Sequence, residues 1–146
     1  MVSTLLTQVQ VYATVGTQEK RDFLRSNYGI NNDRIFSSRN SAFAQEILKQ
    51  TDGQGVNIIL NSLTGDLLDE SWRIIASGGT MVEIGKKDIL DRNMLSMEPF
   101  NRNASFRALD LSHDQINDDT LATYIPFLLC ATTYCLLSSD SYIPAI

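Results

Sequence analysis

Cysteine, histidine and excess positive charge are what this chain lacks. Its two cysteines, Cys130 and Cys135, stand close together near the end, and its single histidine, His113, has no Cys or His beside it. No zinc-type spacing is present, so no resident metal is expected. So few cysteines fit a reducing, cytoplasmic setting. The 12 Lys and Arg are outnumbered by 17 Asp and Glu, for a net charge of −5. A nucleic-acid surface needs a basic face, and none is expected here. The amino terminus, MVSTLLTQ, has neither a basic start nor a long apolar core, so no signal peptide is indicated. The apolar stretch from Leu121 to Leu137 is short of the ~20 residues that span a bilayer. Hydroxyls interrupt it, and no membrane partner is expected. No glycine precedes Gly16.

What is present reads as a globular domain. The 146 residues are 43% apolar and 20% charged, against disorder and enough for a real core. The chain is organised around Val56 to Lys87. There a short apolar run, Val56 to Leu60, ends in Asn61-Ser62-Leu63. Leu67, Leu68, Ser71, Trp72 and Ile75 then recur at helical spacing, with Asp66, Asp69, Glu70 and Arg73 mostly opposite. Gly78-Gly79 stops the helix, and Thr80 to Ile84 reads as the next strand, closed by Gly85-Lys86. Strand, helix, strand is a βαβ unit, which forces a parallel pair and a right-handed crossover.

The same alternation holds on both sides. Val9 to Val15 alternates as a strand, and Thr17 is an N-cap for a helix from Gln18 to Tyr28 stopped by Gly29. Phe23 and Leu24 are that helix's expected buried side. Arg34-Ile35-Phe36 reads as a short strand ending in Ser37-Ser38-Arg39. A helix capped by Asn40 or Ser41 follows, with Phe43, Ile47 and Leu48 as its apolar stripe and its end near Gly53. Asn93 to Phe100 predicts a turn with a short helix, and Ser105 to Leu109 a last strand ending in Asp110. The fold class is α/β, a Rossmann-type parallel sheet with flanking helices.

Ligands of such sheets sit beyond the carboxyl ends of the strands. No acid closes the first strand at Val15-Gly16-Thr17, and an acid there would bind a ribose diol. Lys20 lies one turn into the next helix, whose amino terminus favours an anion, and Arg39 ends the neighbouring strand. Both fit a phosphate, and both also fit solvated surface charges. Asn61, Ser62 and Gly85 are small or polar where a nicotinamide ribose would approach, although Gly85 also fits a turn. Lys86 reads equally as an exposed lysine, and Asp110 as a cap. Trp72 reads as core and His113 as surface.

The stretches TVGTQEKRDFL, RIFSSRNSAFAQEIL, GVNIILNSLTGDLLDESWRIIASGGTMVEIGKKDI and MEPFNRNASFRALDL resemble the enoyl reductase domain of fungal-type, highly reducing polyketide synthases. That domain belongs to the medium-chain dehydrogenase/reductase superfamily, with quinone oxidoreductases as more distant relatives. The resemblance runs from about Val9 to His113. It implies NADPH-dependent reduction of an α,β-enoyl thioester on an acyl carrier protein, with no zinc. It puts Thr17, Lys20, Ser38 and Arg39 at the adenosine 2′-phosphate, and Asn61, Ser62 and Gly85 near the nicotinamide, with Gly16 a further cofactor-binding residue. Lys86 and Asp110 match the lysine and aspartate proposed as proton donors or enolate stabilisers.

The resembling domain also has a strand and a glycine-rich loop ahead of this region, and nothing of that kind stands before Val9. The expectation is therefore a fragment lacking its first strand and pyrophosphate loop. Residues 1–116 would form a partial NADPH-binding subdomain and residues 117–146 a divergent apolar tail. A gap beside the first and third strands would favour self-association, unless Met1 to Gln8 or Leu121 to Leu137 fills it. Two other readings stand beside this one. The first is a non-catalytic relic or interaction fragment of a synthase. The second is a quinone oxidoreductase-like enzyme completed by another chain.

Overall fold

A computed structural model describes residues 10–110. Met1 to Gln8, His113, the tail from Leu121 to Leu137 and both cysteines lie outside the described residues.

The strands and helices alternate as β1 (Ala13–Val15), α1 (Gln18–Tyr28), β2 (Ile35–Ser37), α2 (Ala42–Gln50), β3 (Val56–Asn61), α3 (Asp66–Arg73), β4 (Ile75–Glu83), α4 (Lys87–Leu90) and β5 (Ser105–Ala108). Single 3-10 turns cover Asn32–Arg34 and Glu98–Arg102. All pairings are parallel: β1 with β2, β3 with β4, and β4 with β5. Among the described residues β1 and β3 do not pair, and the ladder falls into a two-stranded and a three-stranded sheet.

Two apolar clusters hold the layers. Phe36, Phe43, Ala44, Ile47 and Ile74 form one, and Tyr12, just before β1, and Val56 and Ile59 of β3 pack against it. Helix α2 thus bridges the gap. The second cluster gathers Leu68, Trp72, Ile75, Met81 and Ala104. Trp72 is fully enclosed, tilted on Phe100 at 5.0 Å and edge-on to Phe106 at 5.7 Å. Its Nε1–H donates to the Ser96 carbonyl oxygen at 2.8 Å, so the indole is satisfied.

Helix α1 has the predicted limits. Thr17 Oγ1 accepts from the Lys20 N–H at 3.3 Å, and Gly29 closes the helix at φ +65°. Its buried side departs from expectation. Phe23 is 55% exposed and meets Tyr28 edge to face, while Leu24 is only half-buried. A two-stranded sheet is too narrow to cover a helix of this length. In α2, Ala44 rather than Leu48 lies at the centre, and Leu48 packs against the cluster only in part.

Strand limits also shift. Among the described residues of the predicted Val9–Val15 strand only Ala13–Val15 are paired, because the partner β2 offers three residues. Arg34 falls in the 3-10 turn and not in β2. Ile75 is not helical: α3 ends at Arg73 and β4 opens at Ile75. Gly78-Gly79 therefore sits within β4 instead of before it. The register jumps there, from Val56↔Ile75 to Ile58↔Thr80, which is a bulge. Gly78 takes φ +72°, and a Cβ on Gly79 would lie 2.8 Å from the Asn57 carbonyl oxygen. Ile75 follows Trp72 by three residues and is buried like it, so the first residue of β4 continues the apolar spacing of α3. Helix α4 had no counterpart in the sequence reading. Its Asp88 accepts from the Gly65 N–H at 3.1 Å and so caps α3, which has no side-chain cap of its own.

Candidate functional site

The residues singled out at the strand ends divide into three groups. At the ends of β1 and β2, the Ser38 N–H donates to the Val15 carbonyl oxygen at 3.0 Å, which draws the two turns together. Arg39 Nε–H donates to the Gly16 carbonyl oxygen at 2.7 Å. A Cβ on Gly16 would stand 3.5 Å from Ser38 Oγ and 3.9 Å from an Arg39 terminal nitrogen, so the two side chains crowd the glycine. Lys20 projects from the first turn of α1, whose backbone N–H groups and positive dipole end add to its charge. Thr17, Lys20 and Arg39 are exposed.

At the end of β3, Asn61 is buried and Ser62 exposed. A cavity of about 520 Å³ runs between β1 and β3. Its lining includes Gly16, Lys20, Ser38, Asn61 and Ser62, so five of the predicted residues from three strand ends open on one space. That volume is in the range of small-molecule sites. Thr17, Arg39 and Gly85 are outside its lining but touch it through neighbours. Arg39 bonds Gly16, and a Cβ on Gly85 would approach Ser62 Cα at 3.6 Å. Lys20 and the amino terminus of α1 stand at one end and Asn61 and Ser62 at the other, while between them the lining is apolar, with Val15, Phe43, Ile47, Val56 and Ile59 along the gap that separates β1 from β3.

The third group is a pair. Lys86 follows β4 and Asp110 follows β5, and their side chains meet at 2.5 Å between Nζ and Oδ2. They are 44% and 36% exposed. Parallel neighbours end on the same edge of a sheet, so residues remote in sequence are brought side by side. A lysine held beside a carboxylate can both oppose a developing negative charge and deliver a proton.

One residue was missed. Glu83, the last of β4, is 3% exposed. It accepts from Asn61 Nδ2 and from the Gly85 N–H, both at 2.5 Å. Burial pushes its carboxyl up from the ordinary value, and the two hydrogen bonds oppose that shift. The available signal was a charged residue closing an otherwise apolar buried strand. Among the described residues no three His, Cys, Asp or Glu side chains gather in a way that could hold a metal ion. Nor is any described helix long and apolar enough to cross a membrane.

Residues 5–127 match the family model described as zinc-binding dehydrogenase. A highly reducing polyketide synthase of Eupenicillium brefeldianum is 61% identical over 109 residues, 75% of this chain and 5% of the synthase. The highly reducing polyketide synthase apmlA of Arthrinium phaeospermum is 64% identical over 105 residues, 72% of this chain and 4% of that protein. The chain thus spans about a twentieth of the length of these curated relatives. Among solved structures, the nucleotide-binding subdomain of the enoylreductase domain of PpsC from Mycobacterium tuberculosis superposes with a TM-score of 0.68 at 32% identity. That match covers 88% of this chain and 71% of the subdomain.

Proposed function

The chain belongs to the zinc-binding dehydrogenase family, among the enoyl reductase domains of polyketide synthases, and from that premise we propose that it binds NADPH for the reduction of an enoyl thioester. The observation that carries this reading is the convergence of Gly16, Lys20, Ser38, Asn61 and Ser62 on one cavity. NADPH, when bound, supplies the hydride for the β-carbon. Thr17, Lys20, Ser38 and Arg39 hold the adenosine 2′-phosphate, and Gly16 lets the chain approach it. Asn61, Ser62 and Gly85 border the nicotinamide half.

In the whole synthase, Lys86 and Asp110 act on the substrate, an α,β-enoyl thioester carried by an acyl carrier protein. The Lys86 ammonium opposes the negative charge that grows on the thioester oxygen, and a proton passes from this pair to the α-carbon. Asp110 fixes the lysine by the 2.5 Å contact. No step is routed through zinc. The same proposal takes residues 1–116 as the nucleotide-binding part of a cytoplasmic synthase, 117–146 as a separate tail, and self-association of the chain in solution.

Calorimetric titration of NADPH and NADH tests the reading. A charge-assisted contact to the 2′-phosphate contributes about 1.5–3 kcal/mol, roughly ten- to a hundredfold in affinity for NADPH over NADH. Equal affinities would refute the assignment of that end of the cavity. Bound NADPH should also raise the Tm, since it stabilises only the fold that holds it.

A further inference from the structure

A buried carboxylate stands at the end of β4, and nothing in the function proposed above uses it. Glu83 is 3% exposed, and a charge so enclosed persists only where its lone pairs are met. Its two oxygens accept from Asn61 Nδ2 and from the Gly85 N–H. Asn61, also 3% exposed, gives its other amide hydrogen to the Leu63 carbonyl oxygen at 2.9 Å. Carboxylates and backbone carbonyls accept and do not donate. Both partners of the Asn61 nitrogen are therefore pure acceptors, which removes the usual ambiguity between an amide's nitrogen and oxygen. The polar atom Asn61 has left to offer is Oδ1, on a residue that lines the cavity between β1 and β3.

We propose that Glu83 is a positioning residue: by locking the Asn61 amide, it makes that end of the cavity an acceptor for an N–H or O–H donor on the nicotinamide riboside half of a dinucleotide. This rests on the reading of the cavity as the dinucleotide site. Glu83 itself touches no ligand. A glutamine at position 83 has one acceptor oxygen and one N–H₂ group. If its oxygen keeps the Gly85 N–H, its nitrogen turns to Asn61, which then flips to accept or leaves the contact. Either way the Asn61 oxygen is no longer reserved for the cavity. Glutamine has nearly the shape of glutamate, so the change in hydrogen-bond sense is separated from a change in packing.

The test compares NADPH with 2′,5′-ADP, which carries the phosphates but lacks the nicotinamide riboside. Glu83→Gln should bind NADPH about tenfold more weakly and 2′,5′-ADP as wild type does. The acetylpyridine analogue of NADPH lacks the carboxamide N–H₂ and separates the two donors. Weakening by Glu83→Gln that persists in the analogue supports a ribose hydroxyl, and weakening that vanishes supports the carboxamide. An unchanged ratio of NADPH to 2′,5′-ADP affinity overturns the role of Glu83 and leaves the dinucleotide reading standing. Failure of wild type to bind either nucleotide overturns both. A readout free of nucleotide completes the test: the Asn61 side-chain N–H₂ resonances, identified by their loss in Asn61→Asp, should shift and exchange faster in Glu83→Gln. Resonances that do neither also overturn the proposal.

Discussion

Lys20 and Arg39 carry the same charge but different structural duties. Arg39 ties its Nε to the Gly16 carbonyl oxygen, whereas the bond at Lys20 uses only its backbone N–H. Lys20→Ala should therefore weaken NADPH roughly ten- to a hundredfold while leaving NADH affinity and urea stability unchanged. Arg39→Ala should weaken NADPH to a similar degree and also lower stability by about 0.5–1.5 kcal/mol, the value of a typical hydrogen bond. Identical urea curves for the two variants would contradict this. Glu83 predicts a pH effect. Its carboxyl is raised above the ordinary 4.5 by burial, against the bonds from Asn61 and Gly85 and with repulsion from Asp88. The folded state then binds the proton more tightly than the unfolded chain. The stability this adds is present below about pH 4.5 and is lost as pH rises through the raised value. Asp69, raised by desolvation and by Asp66, Asp88 and Glu70, acts with the same sign. Relative to wild type, Glu83→Gln should gain stability as pH rises from about 4.5 through the raised value, and the Asp69 part, common to both proteins, should cancel in the difference. A difference curve flat with pH would remove Glu83 from the account.

At the scale of elements, the turn from α2 into β3 shows how far sequence reaches. Gly53 and Gly55 both take φ +80°. A Cβ on Gly53 meets nothing, while one on Gly55 would overlap the Ile74 carbonyl oxygen, which accepts the Val56 N–H at 3.0 Å. Gly53→Ala should cost about 1–2 kcal/mol for the left-handed backbone alone. Gly55→Ala should cost at least ~3 kcal/mol, because the ladder contact between β3 and β4 must open as well. Urea unfolding of both variants checks the difference, and equal losses would mean the strands yield freely. The composition of this turn was legible as a helix stop, but the approach of Ile74 was not. Likewise α1, β2 and α2 followed from caps and apolar spacing, while the bulge that gives Ile75 to β4 depended on its pairing with β3.

At the scale of the whole molecule, the Lys86–Asp110 pair is well formed but open, with side chains 44% and 36% exposed. Hydride transfer needs the reacting carbons within roughly 3–3.5 Å in a site that excludes water. Positioning is worth ~7–11 kcal/mol of barrier. The 146-residue chain by itself should therefore oxidise NADPH with a crotonyl thioester no faster than buffer does. Lys86→Ala and Asp110→Ala should match it. Turnover by wild type that disappears in Lys86→Ala would overturn this expectation and put Lys86 in the reaction. Self-association has its own check. Leu90, Met94 and Met97 are 74%, 93% and 74% exposed, apolar surface that a second copy would cover. Sedimentation across a concentration series should show a rising mass, and a monomer throughout would remove that part of the proposal.

The sequence by itself determined the alternation of strands and helices, their parallel pairing, and the strand-end residues where a ligand would sit. These follow from local periods of two and 3.6 and from glycine and capping signals, which need no knowledge of distant neighbours. The tertiary structure alone decided which of those ends share a space. It set Gly16, Lys20 and Ser38 around the same cavity as Asn61 and Ser62, and closed Lys86 on Asp110. It also left Phe23 in solvent, since the burial of a helix face depends on how wide a sheet stands beneath it. Glu83 is the sharpest case. In the sequence it is one acid among 17 Asp and Glu. Burial, an amide from the neighbouring strand and a backbone N–H from the following turn give it a role, because a carboxylate's chemistry is set by which donors surround it, and those donors come from separate elements.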